Sequence, residues 1–146
     1  MEMNAARGRS GLPPLACTAA LQDIAQRYSA DLSAMGRVSH TGADGRGLAQ
    51  RLADGDVGYR TASENVGVGR GGRDGMPDRA RAFLNSPAHR DNILNTSFTS
   101  CGIGIGIGIG IGIVAGANGV SWVTVIFTEP ENSVRLRLAP SQAPRV

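Results

Sequence analysis

The feature that most constrains the fold of this chain is a strict alternation of glycine and isoleucine from Gly102 to Ile113. Successive side chains of an extended strand point to opposite faces, so the isoleucines share one face and the glycines share the other. We therefore expect a strand whose isoleucine face packs against helices and whose glycine face lets another layer or backbone approach closely. A phosphate-binding glycine loop is not expected, because such loops have irregular glycine spacing and lead into a helix.

The residues that follow the repeat predict a β-hairpin. Asn118-Gly119 is a strong turn signal, and the chain continues as VSWVTVIFTE. As a strand, the repeat would span about 40 Å, which is longer than most strands, so we expect a bend, a bulge or an overhang. A shift of two residues keeps every isoleucine on the same face, so the alternation fixes the strand register only weakly.

Apolar spacing predicts one long helix ahead of the repeat, from residue 18 to residue 35. Thr18 is a suitable N-cap for this helix, and Gly36 is suited to end it. Apolar residues recur every three or four positions and form a single stripe: Leu21, Ile24, Tyr28, Leu32 and Met35.

Shorter elements are expected between this helix and the repeat. One helix is predicted over about 46–54, another beginning at Pro77, and a brief one over about 87–94. The segment YRTASENVGVG, which begins at Tyr59, is expected to be a short strand or an irregular segment.

Composition narrows the class of protein. The 146 residues are enough for one domain with a substantial core. All 15 basic residues are arginines, and they are scattered rather than grouped with stacking aromatics, so nucleic-acid binding is not expected. The chain lacks an apolar stretch long enough for a transmembrane helix, and its first residues lack the apolar core of a signal peptide.

Few residues could carry chemistry. The two histidines, His40 and His89, are 49 positions apart, so their spacing alone does not mark them as metal ligands. The two cysteines, Cys17 and Cys101, are in neither a CxxC pair nor a zinc-binding spacing, which leaves open a single disulfide or two buried thiols.

Several motifs occur in order along the chain. They are SHTGADGR at 39–46, SENVGVG at 63–69, NSPAHRDNIL at 85–94, CGIGIGIG and SWVTVIF. Together with the first helix they resemble the bacterial branch of the CAP superfamily, which groups cysteine-rich secretory proteins, venom antigen-5 proteins and plant pathogenesis-related proteins. The resemblance covers about residues 3–128.

The resemblance implies an α+β fold, a three-layer α-β-α sandwich with a central antiparallel sheet. We expect one domain over residues 1–130, followed over 131–146 by a tail or an extra edge strand. Since the long helix over 18–35 packs on the sheet in this fold, a Cys17–Cys101 disulfide is expected, with a stabilisation of about 4 kcal/mol in the chain-entropy model. A disulfide and the resemblance both point to an extracellular or cell-envelope location.

The resemblance also implies a central cleft. His40, Glu64 and His89 match the first histidine, the first glutamate and the second histidine of the family, which in some members hold zinc or another divalent cation. Ser86 stands where many members carry a second glutamate, so the fourth ligand position is vacant, and Ser63 replaces the glycine of the family's GEN motif. The expected ligand-binding residues are His40, Glu64, His89 and Ser86.

The function of this trio stays open at the level of sequence. It could be a buried polar network, a metal or ligand site, or a catalytic site, for which the same three residues are the candidates. Three functions follow: a cleft that binds a lipid or a cell-wall fragment, a peptidase or esterase, and an interaction scaffold with an inert cleft. No GxSxG or HExxH motif supports the enzyme.

Arg90 is expected to pair with an acid near the cleft, and Asn65 and Asn92 to have structural roles.

Overall fold

The computed structural model describes residues 2–70, 76–108 and 120–131, and the strands within these residues form one four-stranded sheet. The strands are β1 (Ala16–Cys17), β2 (Tyr59–Arg70), β3 (Ser100–Gly108) and β4 (Val120–Pro130). The helices are α1 (Glu2–Arg9), α2 (Ala19–Met35), α3 (Leu48–Asp54), α4 (Met76–Leu84) and α5 (Pro87–Ile93). The order across the sheet is β1-β3-β4-β2.

The Gly-Ile repeat begins as strand β3, and its antiparallel partner is β4, from Ser100 opposite Thr128 to Gly108 opposite Val120. The two arms of the predicted hairpin are therefore confirmed. The predicted turn at Asn118-Gly119, the remainder of the repeat and the tail from residue 132 lie outside the described residues.

Strand β2 is longer than expected. It was expected to be short or irregular, but it extends over 12 residues and pairs with β4 from Tyr59 opposite Pro130 to Arg70 opposite Val120, with one irregularity between Tyr59 and Thr61. The two glycines of VGVG weaken a strand by themselves. Here, the continuous edge of β4 supplies the hydrogen bonds that keep this segment extended.

The sheet is mixed, and the expectation of a purely antiparallel sheet was wrong in this respect. β1 pairs in parallel with β3, with Ala16 opposite Ser100 and Cys17 opposite Cys101. The chain passes from β1 directly into α2, and α2 runs alongside β3 in the same direction. A strand that leads into this helix must therefore run parallel to β3.

Helix α2 forms as predicted and lies on one face of the sheet. The Oγ1 atom of Thr18 accepts a hydrogen bond from the Leu21 N–H at 3.2 Å. At the other end, Gly36 has a φ of 70° and its N–H donates to the Leu32 carbonyl, which is the left-handed end that glycine permits.

The glycine face of β3 is in direct contact with the backbone of α2. A Cβ atom at Gly102 would lie 2.3 Å from the Leu21 carbonyl group, and one at Gly104 would lie 2.2 Å from the Ala25 carbonyl group. The periods match, because four residues of a helix rise about 6 Å and two residues of a strand rise about 6.8 Å. This close approach is the reason for glycine at positions 102, 104 and 106 of β3.

The other face of the sheet packs against the remaining helical layer. Ile103 contacts a core cluster built from the sheet and from α1, α4 and α5, with these buried members: Met3, Leu15, Phe83, Ile93, Phe98, Cys101, Val123, Val125 and Phe127. A second cluster joins α2, α3 and Ile126 on the glycine side. The described residues thus form the expected α-β-α layers.

Helix α1 was not predicted from the sequence, and a buried arginine fixes it in place. The Arg7 side chain is fully buried, and its guanidinium donates to the carbonyls of Pro13, Ile93, Asn95 and Phe98 at 2.8–3.0 Å. Burial lowers the pKa of Arg7, but an arginine remains protonated in proteins. One cation therefore joins α1 to the end of α5 and to the loop before β3.

Cys17 and Cys101 form a disulfide, as expected from the resemblance. The bond links two residues that face each other across the β1–β3 pair, 84 positions apart in sequence. It ties the segment that leads into α2 to the start of β3, and the Cys101 side chain lies on the isoleucine face of the strand.

The first prediction concerns the contact between β3 and α2. Gly104→Ala should lower the free energy of unfolding by about 3 kcal/mol, the upper end of the typical cost of overpacking, since the added methyl group meets helix backbone rather than a movable side chain. Gly8→Ala in α1 is the control, because nothing lies within 4 Å of its added Cβ, and it should be neutral or stabilising by up to about 1 kcal/mol. Urea denaturation measures both changes, and equal effects would contradict the close contact.

The second prediction concerns the disulfide. Cys17→Ser should lower the free energy of unfolding by about 4 kcal/mol, because the bond closes a long loop in the unfolded chain. Cys101 is buried and Cys17 is exposed, so the substitution at position 17 adds no buried hydroxyl group. The check is urea denaturation of the variant and of the wild type with and without a reductant. Reduced wild type should match the variant, and a variant as stable as oxidised wild type would contradict the prediction.

Candidate functional site

A cleft lies at the β2 edge of the described sheet, where the two helical layers meet across the edge strand. Its volume is about 420 Å³. Both layers and β2 contribute to its lining, which consists of His40, Leu48, Ala62, Ser63, Glu64, Ala88, His89 and Asn92. His40 comes from the loop between α2 and α3, Glu64 from β2 and His89 from α5. The structure therefore brings the three residues of the predicted trio into one cleft.

Glu64 is a buried carboxylate whose charge is balanced by Arg51. Its side chain is only 2% exposed, and that of Arg51 is 11% exposed. Arg51 Nη1 donates to Glu64 Oε2 at 2.6 Å, and Arg51 Nη2 donates to Oε1 at 3.1 Å. Such a two-point pair is both strong and directional. A buried carboxylate needs a partner of this kind, because an unpaired charge is costly to bury.

His40 lies against the same carboxylate but faces solvent. Its Nδ1 is 3.0 Å from Glu64 Oε1, and its side chain is 61% exposed. Arg51 Nη2 also donates to the His40 carbonyl at 3.0 Å. One ring nitrogen, Nδ1, thus orients the His40 imidazole toward Glu64.

Tyr28 supports this arrangement from α2. The Arg51 guanidinium carbon lies 3.5 Å from the centre of the Tyr28 ring, a cation–π contact. The Tyr28 hydroxyl donates to the Ser39 carbonyl at 2.6 Å. The loop that carries His40 is therefore held by α2 and α3 together.

Sequence reasoning did not single out Arg51, and it expected Arg90 to pair with an acid near the cleft. In the structure, Arg51 pairs with Glu64, whereas Arg90 is exposed on α5. One sequence signal could have indicated that Arg51 points toward the protein interior. Arg51 follows Leu48 by three positions on a helix whose Leu52 is fully buried, so its side chain leaves the helix near the inward face.

His89 is positioned by two asparagines behind it. Asn65 is fully buried, and its Nδ2 donates to the His89 carbonyl at 3.0 Å, while Asn92 Nδ2 donates to Asn65 Oδ1 at 2.8 Å. The structural roles predicted for these asparagines are confirmed: they join β2 to α5. The His89 ring also lies edge-on to the Phe83 ring, with ring centres 5.0 Å apart.

The environment of His89 favours a neutral imidazole. Burial is the larger cause and lowers its pKa below the ordinary value of 6.5, and the nearby charge of His40 lowers it further. Desolvation disfavours the charged form of a histidine, and a like charge acts in the same direction. The His40 imidazole is therefore close enough to act on the protonation of His89.

The comparisons with known proteins fit this fold and this cleft. Residues 2–127 match the model of the Cysteine-rich secretory protein family, CAP. The chain belongs to the CAP family. The resemblance seen in the motifs is thereby confirmed, and the three-layer architecture is that of CAP domains.

Two relatives of this CAP domain come from Bacillus species. It is 31% identical over 101 residues to the uncharacterized protein YkwD of Bacillus subtilis, which covers 68% of this chain and 38% of that protein. It is also similar to an extracellular SCP-domain protein of Bacillus anthracis, with 30% identity, a TM-score of 0.64, and coverage of 86% of this chain and 37% of that one. The chain thus spans well under half the length of either relative.

A third similarity shows the fold alone. An outer surface protein of Borrelia burgdorferi is 22% identical, with a TM-score of 0.69 and coverage of 89% of this chain and 88% of that one. Separately, none of the helices in the described ranges is long and apolar enough to cross a membrane.

The residues present do not form a ready zinc site. In residues 2–70, 76–108 and 120–131, no group of three His, Cys, Asp or Glu side chains could hold a metal ion. Both oxygens of Glu64 already accept hydrogen bonds from Arg51, and this guanidinium would repel a cation placed at the carboxylate. The two imidazoles alone fall short of the three protein ligands that zinc sites use. Zinc binding by His40, Glu64 and His89 stays a prediction of the resemblance.

The serines do not complete a catalytic arrangement in the described part of the chain. Ser86 precedes α5 and is outside the cleft lining, whereas Ser63 lies within it. Ser39 Oγ donates to the Thr41 carbonyl. No serine hydroxyl in the described ranges is hydrogen-bonded to either imidazole, so the Ser/His pairing that a serine hydrolase needs is not formed there.

The third prediction tests the ion pair. Arg51→Met should lower the free energy of unfolding by about 3–5 kcal/mol, because it leaves Glu64 buried without its partner. Arg46→Met is the matched control, since Arg46 pairs with Asp54 and both side chains are well exposed, and it should cost at most about 1 kcal/mol. Urea denaturation measures both, and equal losses would contradict the buried pair.

The fourth prediction concerns the protonation of His89. In an NMR titration of the two histidine rings, His89 should titrate below pH 6.5, and His40→Ala should move its midpoint upward but not fully to 6.5, because burial is the larger cause. Between the lowered folded pKa and 6.5, the unfolded chain binds a proton that the folded chain does not. The contribution of His89 to stability is therefore lost as the pH falls through this range. A midpoint at or above 6.5 would contradict the buried environment.

Proposed function

We propose that this CAP domain acts outside the cytoplasm, as a secreted or cell-envelope protein, and that its cleft binds a small polar fragment of the cell wall. The location is supported by the disulfide, which persists in oxidising compartments, and by the extracellular relative of Bacillus anthracis. The observation that carries the binding proposal is that His40 and His89 line one cleft.

The chemistry of the lining favours a ligand rich in hydroxyl and amide groups. His40, Ser63, His89 and Asn92 offer both donors and acceptors. The carboxylate of Glu64 is balanced by Arg51, so the cleft does not require a cationic ligand. A sugar with an attached short peptide presents the hydrogen-bonding groups that such a surface complements.

A lipid acyl chain fits this lining less well. The apolar lining residues are Leu48, Ala62 and Ala88, and two of these three side chains are single methyl groups. Hydrophobic burial is proportional to apolar area, so a long hydrocarbon chain would gain little from this cleft. Lipid binding is therefore the outcome that the experiment must distinguish from binding of the polar fragment.

The fifth prediction is the binding test. A soluble disaccharide-tetrapeptide fragment of peptidoglycan should shift the NMR signals of the lining residues 62–64, 88, 89 and 92 in the wild type. The double variant His40→Ala/His89→Ala should bind at least about tenfold more weakly, which corresponds to about 1.4 kcal/mol. Arg90→Ala is the control, because Arg90 is exposed next to His89 but outside the cleft lining.

Further measurements distinguish binding of the polar fragment from binding of a lipid or of zinc. Phosphatidylglycerol vesicles should leave the same signals unchanged, and binding of vesicles but not of the fragment would contradict the proposal in favour of a lipid. Added zinc or a chelator should not change the affinity for the fragment, because the Glu64 carboxylate is already hydrogen-bonded to Arg51. Equal affinity of the wild type and the double variant would overturn the assignment of the cleft.

A further inference from the structure

The edge of β3 carries a feature that the proposed function does not use. β3 lies between β4 and β1, but β1 covers only its first two residues. The backbone hydrogen bonds between β1 and β3 end with the Thr18 N–H, which donates to the Cys101 carbonyl at 3.0 Å. Beyond this point, the outward N–H and C=O groups of β3 need other partners.

Two glutamines of α2 continue the ladder where β1 stops. Gln22 Oε1 accepts from the Ile103 N–H at 2.6 Å. Gln26 makes both bonds of a strand residue, since its Oε1 accepts from the Ile105 N–H at 2.9 Å and its Nε2 donates to the Ile105 carbonyl at 2.6 Å. A side-chain amide has the donor and acceptor of a peptide group, so the pair imitates a neighbouring strand.

The close packing of α2 on the glycine face sets these positions. Leu21 and Ala25 contact Gly102 and Gly104, and each glutamine follows one of these contact residues along the helix. The next residue in the same series is Ala30, whose side chain has no polar group. The substitute strand therefore consists of these two glutamines.

We propose that Gln22 and Gln26 close the edge of β3, and that the surface they cover is a strand-pairing surface that fits the same edge of a second copy of this chain. An open strand edge is a template for pairing with another chain. Two identical edges can pair antiparallel about a two-fold axis. The Gly-Ile alternation adds to this, because several registers two residues apart present equivalent faces.

The first experiment measures amide hydrogen exchange on β3, which tests whether the glutamines cover this strand edge. Gln22→Ala should speed exchange at the Ile103 amide by at least about fivefold, the factor that corresponds to a net hydrogen-bond contribution of about 1 kcal/mol. Gln22→Glu keeps the acceptor oxygen and should leave that amide protected. Unchanged exchange at Ile103 in Gln22→Ala, or equal exchange in the two variants, would overturn the closure.

The second experiment tests the partner. Gln22→Ala/Gln26→Ala should form dimers with increasing protein concentration in sedimentation velocity, while keeping the circular-dichroism spectrum of the folded wild type. Asp23→Ala/Arg27→Ala is the matched control, since these two exposed residues have the same spacing on α2 and pair with each other. The control and the wild type should remain monomeric over the same concentrations.

Two results would overturn the proposed partner. One is a folded double variant that remains monomeric although its Ile103 and Ile105 amides exchange faster. The other is a wild type that already dimerises with these two amides in the interface. If the double variant does not fold, exchange and sedimentation of Gln26→Ala alone decide the same two points, since Gln26 supplies two of the three bonds.

Discussion

The contact between the backbone of α2 and the glycine face of β3 is the constraint on which the rest of this structure depends. A methyl group at Gly102 or Gly104 would overlap carbonyl atoms of the helix, so no other residue type allows the same approach. The helix then runs along the strand with matched periods. Its direction makes β1 parallel to β3, and its start is fixed to the sheet by the disulfide.

The cleft is built outward from that helix. Tyr28 of α2 supports the Arg51 guanidinium and holds the carbonyl of Ser39. Arg51 in turn balances the buried Glu64 and holds the backbone of His40. One imidazole is thus positioned by ionic groups, whereas the other, on α5, is positioned by neutral amides. The two histidines of one cleft therefore have different electrostatic surroundings.

Much of the fold could be predicted from local sequence signals. Helix α2 has an apolar stripe and two caps, and β3 has an unbroken alternation, so propensity and pattern agree in both. Strand β2 was underestimated because its sequence left a short strand and an irregular segment both open, and only the neighbouring β4 shows why its glycines stay extended. Helix α1 was missed because its anchor, Arg7, binds carbonyls from distant parts of the chain.

The candidate site was predictable in part. Its two histidines and Glu64 came from the resemblance of short motifs, since spacing alone could not relate positions 49 residues apart. Arg51 carries no motif, and its role follows only from the buried charge it balances. The glutamines on the β3 edge were also invisible in the sequence, because exposed helix residues ordinarily have no partner.

Arg7 has a consequence for how this domain can be shortened. Its guanidinium is the shared donor for carbonyls at the end of α5 and in the loop before β3. Trimming by a protease that removed Arg7 would take away this donor and leave the buried carbonyls of Ile93 and Phe98 without it. The N-terminal boundary of the smallest stable fragment therefore lies ahead of this arginine, although the cleft residues begin more than thirty positions later.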